Sequence, residues 1–386
     1  MATFIDLSDI PVIDNHCHAV VATQRADPVE WLQRFTESPD PVMGAEHVRH
    51  TVFYRRLMRR IAARYGMAVD DEAGVLAYRA QRGSAALVGE LFPDARISGV
   101  VIDTGFPSPA LAMRPADFVA ASGAEYAALM RLEVEFQRLI ALHADYNELL
   151  EAVRQLVSNM RAKGFCGFKS IVAYRTGLSI AHWDTPAAMT AFQQARREVQ
   201  ASGAVRLGYK ALLDTLLHIA FDAAAEQELP VQFHVGYGDP DVDLRTSSPL
   251  ELRSLFENPR YRAMSIVMLH GCWPYFREGA YLAAVYGNAF LDISYAIPFL
   301  SRAEMTSMTR SAFGAAPLSK IMYSSDAVGI PEMHWIGALD GRQVIGTVLG
   351  ELVDDHELEA HDAREAGRLI LNATAARLYG LTESAV

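Results

Sequence analysis

Short apolar runs alternate along this chain with long stretches whose apolar residues recur at helical spacing. The runs cover residues 11–14, 97–102, 165–173, 230–233, 265–269, 289–293 and 321–324, each with the length and composition of a buried parallel strand. An eighth falls near 131–134, Arg-Leu-Glu-Val, where helix and strand readings compete. Intervening segments such as 187–229 and 355–379 are rich in Ala, Leu, Arg and Glu, as helices facing a core are. Strand and helix in alternation predict an α/β protein with a parallel sheet. The stretch after the first run breaks this rhythm, because residues 28–35, 44–65 and 71–91 all read as helical. We therefore expect a helical insertion at 28–92, a cap packed on a single domain, since no Gly/Ser- or Pro-rich linker isolates it.

Composition narrows the function classes. The chain has 386 residues, 51% apolar and 21% charged, which suits a large buried core. Its 46 acidic against 35 basic residues leave a net charge of −11, so nucleic acid is not an expected partner. Three scattered cysteines, Cys17, Cys166 and Cys272, make no disulfide framework and point to a reducing compartment. The first residues lack a basic segment followed by an apolar one, and no apolar run reaches the ~20 residues that cross a bilayer. A cytoplasmic protein without a membrane partner is the expectation.

Chemistry concentrates where the apolar runs end. Residues two apart on a strand share a face, so His16 and His18 of Asp14-Asn15-His16-Cys17-His18 should converge on one point while Cys17 faces away. Later runs end on His234, His270 and Asp326. In a parallel barrel the C-terminal strand ends form one face, where such residues meet, and this set of nitrogens and an oxygen suits Zn²⁺, with Mn²⁺ or Fe²⁺ as alternatives. Lys169, in Gly167-Phe168-Lys169-Ser170, sits among Phe165, Phe168 and Ile171, a setting that favours a free amine. It either reacts with CO₂ to become a bridging carbamate or remains a cation that pairs with a substrate carboxylate.

The order His16-x-His18, His234, His270, Asp326 resembles the amidohydrolase superfamily of metal-dependent (β/α)₈ TIM barrels, from Ile-Asp-Asn-His-Cys-His to the terminal Asn-Ala-Thr-Ala-Ala-Arg-Leu-Tyr. Within it, the segments 167–178 and 234–244 are similar to the branch of the nodulin-like domain fused to glutamine-synthetase-like proteins. The resemblance implies one or two divalent ions held by His16, His18, Lys169, His234, His270 and Asp326. Asp326 would be the general base and acid, and His270 a ligand or a donor to the oxyanion. Tyr174, Arg175, Trp273 and His334 are the candidate substrate contacts, Arg175 offering a fork for a carboxylate; each has a plain packing or surface role as its alternative. The basic helix at 50–64 is expected to be a solvated amphipathic face, with an anion-binding lid as the other reading. Asp239-Pro-Asp241-Val-Asp243 is no EF-hand, since Leu244 and Leu250 stand where glycine and glutamate are required.

These readings predict a metal-dependent hydrolase that cleaves the C–N bond of a small carboxylate-bearing amide, with a γ-glutamyl amide as the candidate substrate. Non-oxidative decarboxylation on the same barrel and a non-catalytic regulatory barrel are the competing readings. A homo-oligomer is expected because exposed barrel helices so often pair.

Overall fold

A computed structural model describes residues 3–383. Eight strands, β1 (Val12–His18), β2 (Ile97–Asp103), β3 (Glu125–Arg131), β4 (Phe165–Ser170), β5 (Val231–Phe233), β6 (Ile266–Met268), β7 (Ala289–Ser294) and β8 (Ile321–Ser324), are neighbours in chain order within one sheet. The chain beyond β8 returns alongside β1. Asp326 N–H donates to the His16 carbonyl at 3.0 Å, His18 N–H to the Ala327 carbonyl at 2.8 Å, and Val20 pairs in parallel with Gly329. The fold is a (β/α)₈ TIM barrel.

Seven strands lie where the apolar runs place them; the eighth does not. The run at 131–134 opens a helix, and β3 lies immediately before it, at Glu125–Arg131. Ala127 and Leu129 alternate inward along β3, whereas Leu132, Glu133 and Phe136 are buried at the spacing of a helical face.

Three helices separate β1 from β2: α1 (Pro28–Gln33), α2 (Val52–Tyr65) and α3 (Glu72–Asp94). Each starts at a side-chain cap. Asp27 accepts from Val29 N–H and Glu30 N–H, Thr51 from Tyr54 N–H and Asp71 from Gly74 N–H. Residues 43–50, expected within one long helix, form a π turn and a 3₁₀ turn, and α3 bends at Gly83, where φ is 73°. Phe53, Leu57 and Ile61 of α2 share its buried face. Arg79 of α3 is itself buried, donating to Gln24 Oε1 at 2.7 Å and to Glu332, with its guanidinium 4.2 Å from the Trp31 ring. The remaining helices follow in order: α4 (Pro115–Ser122), α5 (Leu132–Leu142), α6 (Tyr146–Val157), α7 (Thr185–Ser202), α8 (Lys210–Glu226), α9 (Arg253–Glu257), α10 (Phe276–Val285), α11 (Arg302–Phe313), α12 (Pro331–Asp354), α13 (Ala360–Arg368) and α14 (Thr374–Tyr379).

By its internal contacts the chain forms two compact units. One comprises residues up to 127, 238–240 and 292 onward; the other comprises 128–237 and 241–291. No helix among the described residues is long and apolar enough to cross a membrane.

Candidate metal centre

In the first unit, β1 carries a bulge that decides which side chains meet. Asp14 pairs with Val100 and Cys17 with Ile102, so three steps along β1 match two along β2. The extra residue puts Asp14 and Cys17 on one side of the strand, despite their odd spacing, and frees His16 and His18 to turn together to the other. There the His16 and His18 Nε2 atoms lie 3.5 and 3.6 Å from Asp326 Oδ1. One ligand atom from each of the three falls within 4.8 Å of the others. His16 and His18 are buried and Asp326 is nearly so.

Hydrogen bonding orients the members of this cluster. His18 Nδ1 lies 3.1 Å from the Phe106 carbonyl, which cannot donate, so Nδ1 carries the proton and Nε2 keeps its lone pair. Asp326 occupies the left-handed region, with φ 56°. Such backbone persists when its surroundings hold it. Here Asp326 N–H is bound to the His16 carbonyl, and the preceding Ser325 is fixed by Asp14, whose carboxylate accepts from Ser325 N–H at 2.8 Å and from Ser325 Oγ at 2.5 Å. Two imidazole nitrogens and a carboxylate oxygen form a donor set that fits a divalent metal.

His334 was expected on a loop facing the pocket; it lies instead in the first turn of α12. Its ring is fully buried, 5.2 Å from that of Phe92, with Nδ1 3.6 Å from Asp14 Oδ2. Asp14, Cys17 and His334 thus form a second cluster whose ligand atoms lie within 4.8 Å of one another. The Asp14 oxygens are committed to Ser325, and burial pushes the Cys17 thiol well above its usual range, so this side of β1 is a support for Ser325.

The second unit holds the other candidates. His234 N–H donates to the Ser170 carbonyl at 3.0 Å, which extends β5 beside the end of β4. His234 Nε2 lies 2.5 Å from the Tyr237 carbonyl and is therefore the protonated nitrogen; Nδ1 is left facing His270 Nε2 at 3.0 Å. No local pattern marks the Tyr237 carbonyl as this partner, while Asp243 of the same loop caps the turn at Leu244–Thr246 and pairs with Arg245. His270 and Cys272 have φ of 63° and 56° with Gly271 between them at 59°, a left-handed turn directly after β6. The Tyr174 ring packs 4.4 Å from that of His234, and Trp273, half-buried, packs against Tyr237.

Lys169 is almost fully buried, and its register neighbours are Arg131 on β3 and Gln232 on β5. Its setting is therefore more polar than the flanking phenylalanines imply, because Phe168, next along the strand, points to the opposite face. Glu133 is a residue the sequence reading missed. It is fully buried, accepts from Ser170 Oγ at 2.6 Å and Ile171 N–H at 3.0 Å, and so fixes the chain directly after Lys169. Burial raises its carboxyl above the usual range, and those two bonds oppose the rise. Arg175 is half-buried, its charge disfavoured by that burial and supported by Glu133.

Glu37, in the segment after α1, was also missed. Desolvation, with Asp326 and Asp239 adding their negative charge, raises its carboxyl to about 7. Nothing in Thr-Glu-Ser-Pro marks it as different from any surface glutamate.

The model of the family described as Amidohydrolase matches residues 13–381. A segment of 224 residues, 56% of this chain, is 31% identical to the protein fluG of Emericella nidulans and spans 26% of that relative's length. Among solved structures, a protein provisionally assigned as a metal-dependent hydrolase from Lactobacillus casei superposes with a TM-score of 0.87 at 26% identity, covering 98% of both chains. Uronate isomerase from Thermotoga maritima shares the fold at a TM-score of 0.65 and 12% identity, covering 96% of this chain and 95% of its own.

Proposed function

The chain belongs to the amidohydrolase family, and from that premise we propose that it is a metal-dependent hydrolase acting on the C–N bond of a small amide that carries a carboxylate. The observation that carries this reading is the pair of Nε2 atoms of His16 and His18 set 3.5 and 3.6 Å from Asp326 Oδ1, with the His18 tautomer fixed from behind by the Phe106 carbonyl. His16 and His18 would hold the ion, with Zn²⁺ the first candidate; Lys169, His234 and His270 are proposed as further ligands, and His270 alternatively as a donor to the oxyanion. When bound, a divalent ion lowers the pKa of its water towards ~7 and polarises a carbonyl.

The chain's own groups then account for the proton. Asp326 accepts it from the attacking water and returns it to the leaving nitrogen, so that water and amide become carboxylic acid and amine. Its left-handed backbone, bonded to His16, keeps the carboxylate from swinging away between the two transfers. Arg175 is proposed to pair with the substrate carboxylate and Tyr174 to line the approach to His234. The resemblance of segments 167–178 and 234–244 to the domain fused to glutamine-synthetase-like proteins makes γ-glutamyl amides the first substrates to test.

A panel of γ-glutamyl amides, N-acyl amino acids and unsubstituted amides, assayed for amine release with and without added Zn²⁺ or Mn²⁺, tests the proposal. Metal-dependent release from one class, lost in Asp326→Asn, supports it. Release of CO₂ from carboxylic acids with no amide turnover replaces it by the lyase reading.

A further inference from the structure

Three arginines in the first unit converge on one buried carboxylate. Arg56 Nε lies 2.8 Å from Asp340 Oδ2, and Arg60 Nη2 and Arg302 Nε lie 3.6 and 3.5 Å from Asp340 Oδ1. Asp340 on α12 is fully buried, whereas the exposure of the arginine side chains grades from 11% for Arg56 through 27% for Arg60 to 42% for Arg302. The cluster is therefore sealed at its base by Asp340 and open at its rim. Arg56 and Arg60 are four apart on α2 and share a face of that helix, while Arg302 is the first residue of α11.

The charges do not balance. Three guanidinium groups against one carboxylate leave an excess of two positive charges in a partly desolvated space. Arg56 Nη1 and Nη2 are both buried with no hydrogen-bond partner among the described residues. A buried donor left without an acceptor is destabilising, more so when it is charged, and Arg56 has two such nitrogens. Burial, opposed by Asp340 and reinforced by Arg302 and Arg60, lowers the proton affinity of Arg56, as expected where positive charge is in excess. The contacts of Arg60 and Arg302 with Oδ1, longer than hydrogen bonds, leave their planar forks able to turn to another acceptor.

We propose that Arg56, Arg60 and Arg302, organised by Asp340, form a binding site for a small multivalent oxyanion. The ligand class carries two or more negative charges on clustered oxygens, as a phosphate or a short dicarboxylate does. Two charges would neutralise the excess, and bidentate contacts would satisfy the Arg56 terminal nitrogens. Its binding would fasten α2 to α11 and α12. None of these residues belongs to the metal cluster, so the site is a place for an effector or a stabilising anion, independent of the hydrolytic reading.

Thermal unfolding of the full-length holoprotein in sodium phosphate and in sodium malonate, each against sodium chloride at matched pH and ionic strength, tests this. The expected result is a saturable rise in Tm with phosphate or malonate over chloride, retained in a His16→Ala/His18→Ala variant, which removes capture at the metal cluster. In Arg60→Gln/Arg302→Gln, at the partly exposed rim, the apparent Kd should weaken at least about ten-fold. A response to phosphate alone assigns a phosphoryl ligand, and one to malonate a dicarboxylate. No rise over chloride, a rise lost with the two histidines, or an equal rise in the arginine variant overturns the proposal.

Discussion

The carboxylate of Asp14 accepts both the backbone N–H and the hydroxyl of Ser325, at 2.8 and 2.5 Å. Asp14 lies two residues before His16 on β1, and Ser325 immediately before Asp326, so one side chain ties the strand that carries the histidines to the strained backbone that carries the carboxylate. Ser325 Oγ in turn accepts from Ala327 N–H at 3.0 Å, so Asp326 is held from both sides.

Asp14→Asn offers one acceptor oxygen in place of two and must release one Ser325 donor in a fully buried setting. With Asp14 positioning Asp326 and touching no substrate, kcat is expected to fall about 10- to 100-fold while KM changes less than about three-fold. Ser325→Ala, which removes only the hydroxyl, should fall between Asp14→Asn and the parent protein. Steady-state kinetics on a metal-saturated enzyme separate kcat from KM; a large rise in KM with kcat intact would remove Asp14 from this role.

The His18 tautomer gives a second outcome. His18→Gln should cost at least about 10³-fold in activity and weaken metal retention, since neither amide atom matches a neutral Nε2 as a ligand. Competition with a chromogenic chelator reads the retention directly. Unchanged retention would mean that His18 does not bind the ion.

Glu37 makes the stability of the metal-free protein depend on pH. Its folded pKa of about 7 lies above the ordinary glutamate value of 4.5, so the protonated form favours the fold, and stability is lost as pH rises from 4.5 through 7. Glu37→Gln removes that loss. In chelator-treated protein the variant should gain about 1–2 kcal/mol over the parent at pH 8, after discounting for its partial exposure, and much less at pH 5. Chemical denaturation at the two pH values checks it. Equal gains at both would show that Glu37 is not the titrating group.

Gly236 sits directly after the His234 segment with φ 80°, and a Cβ there would fall 2.1 Å from the Trp273 carbonyl oxygen. Gly236→Ala therefore meets backbone as well as strain and should cost about 3 kcal/mol or more. Gly164→Ala, at φ 85° but with open space around it, should cost about 1–2 kcal/mol. Similar losses at the two positions would mean that the contact with Trp273 relaxes freely.

Much of this was legible in the chain because it follows from local alternation. His16 and His18 share a face and Cys17 faces away, as a two-residue period requires, and seven apolar runs lie where strands lie. What was not legible depends on distant partners. The 131–134 run reads as strand or helix until Glu133 is seen to bond Ser170 and Ile171. Asp14 looks like any acid before a His-x-His until the β1 bulge turns it towards Ser325. His334 reads as a loop residue after Asp326, because the first turn of α12 begins at Pro331 without a side-chain cap to announce it. Glu37 carries no mark at all, since only tertiary burial beside Asp326 distinguishes it.

The proposed hydrolase requires an ion held by His16 and His18, and elemental analysis of protein purified without chelators tests this most directly. The parent chain should carry at least about one divalent metal per molecule, and His16→Ala/His18→Ala should lose at least one equivalent while keeping its far-UV circular dichroism. Equal metal content in a folded double variant, or none in an active parent enzyme, would contradict it.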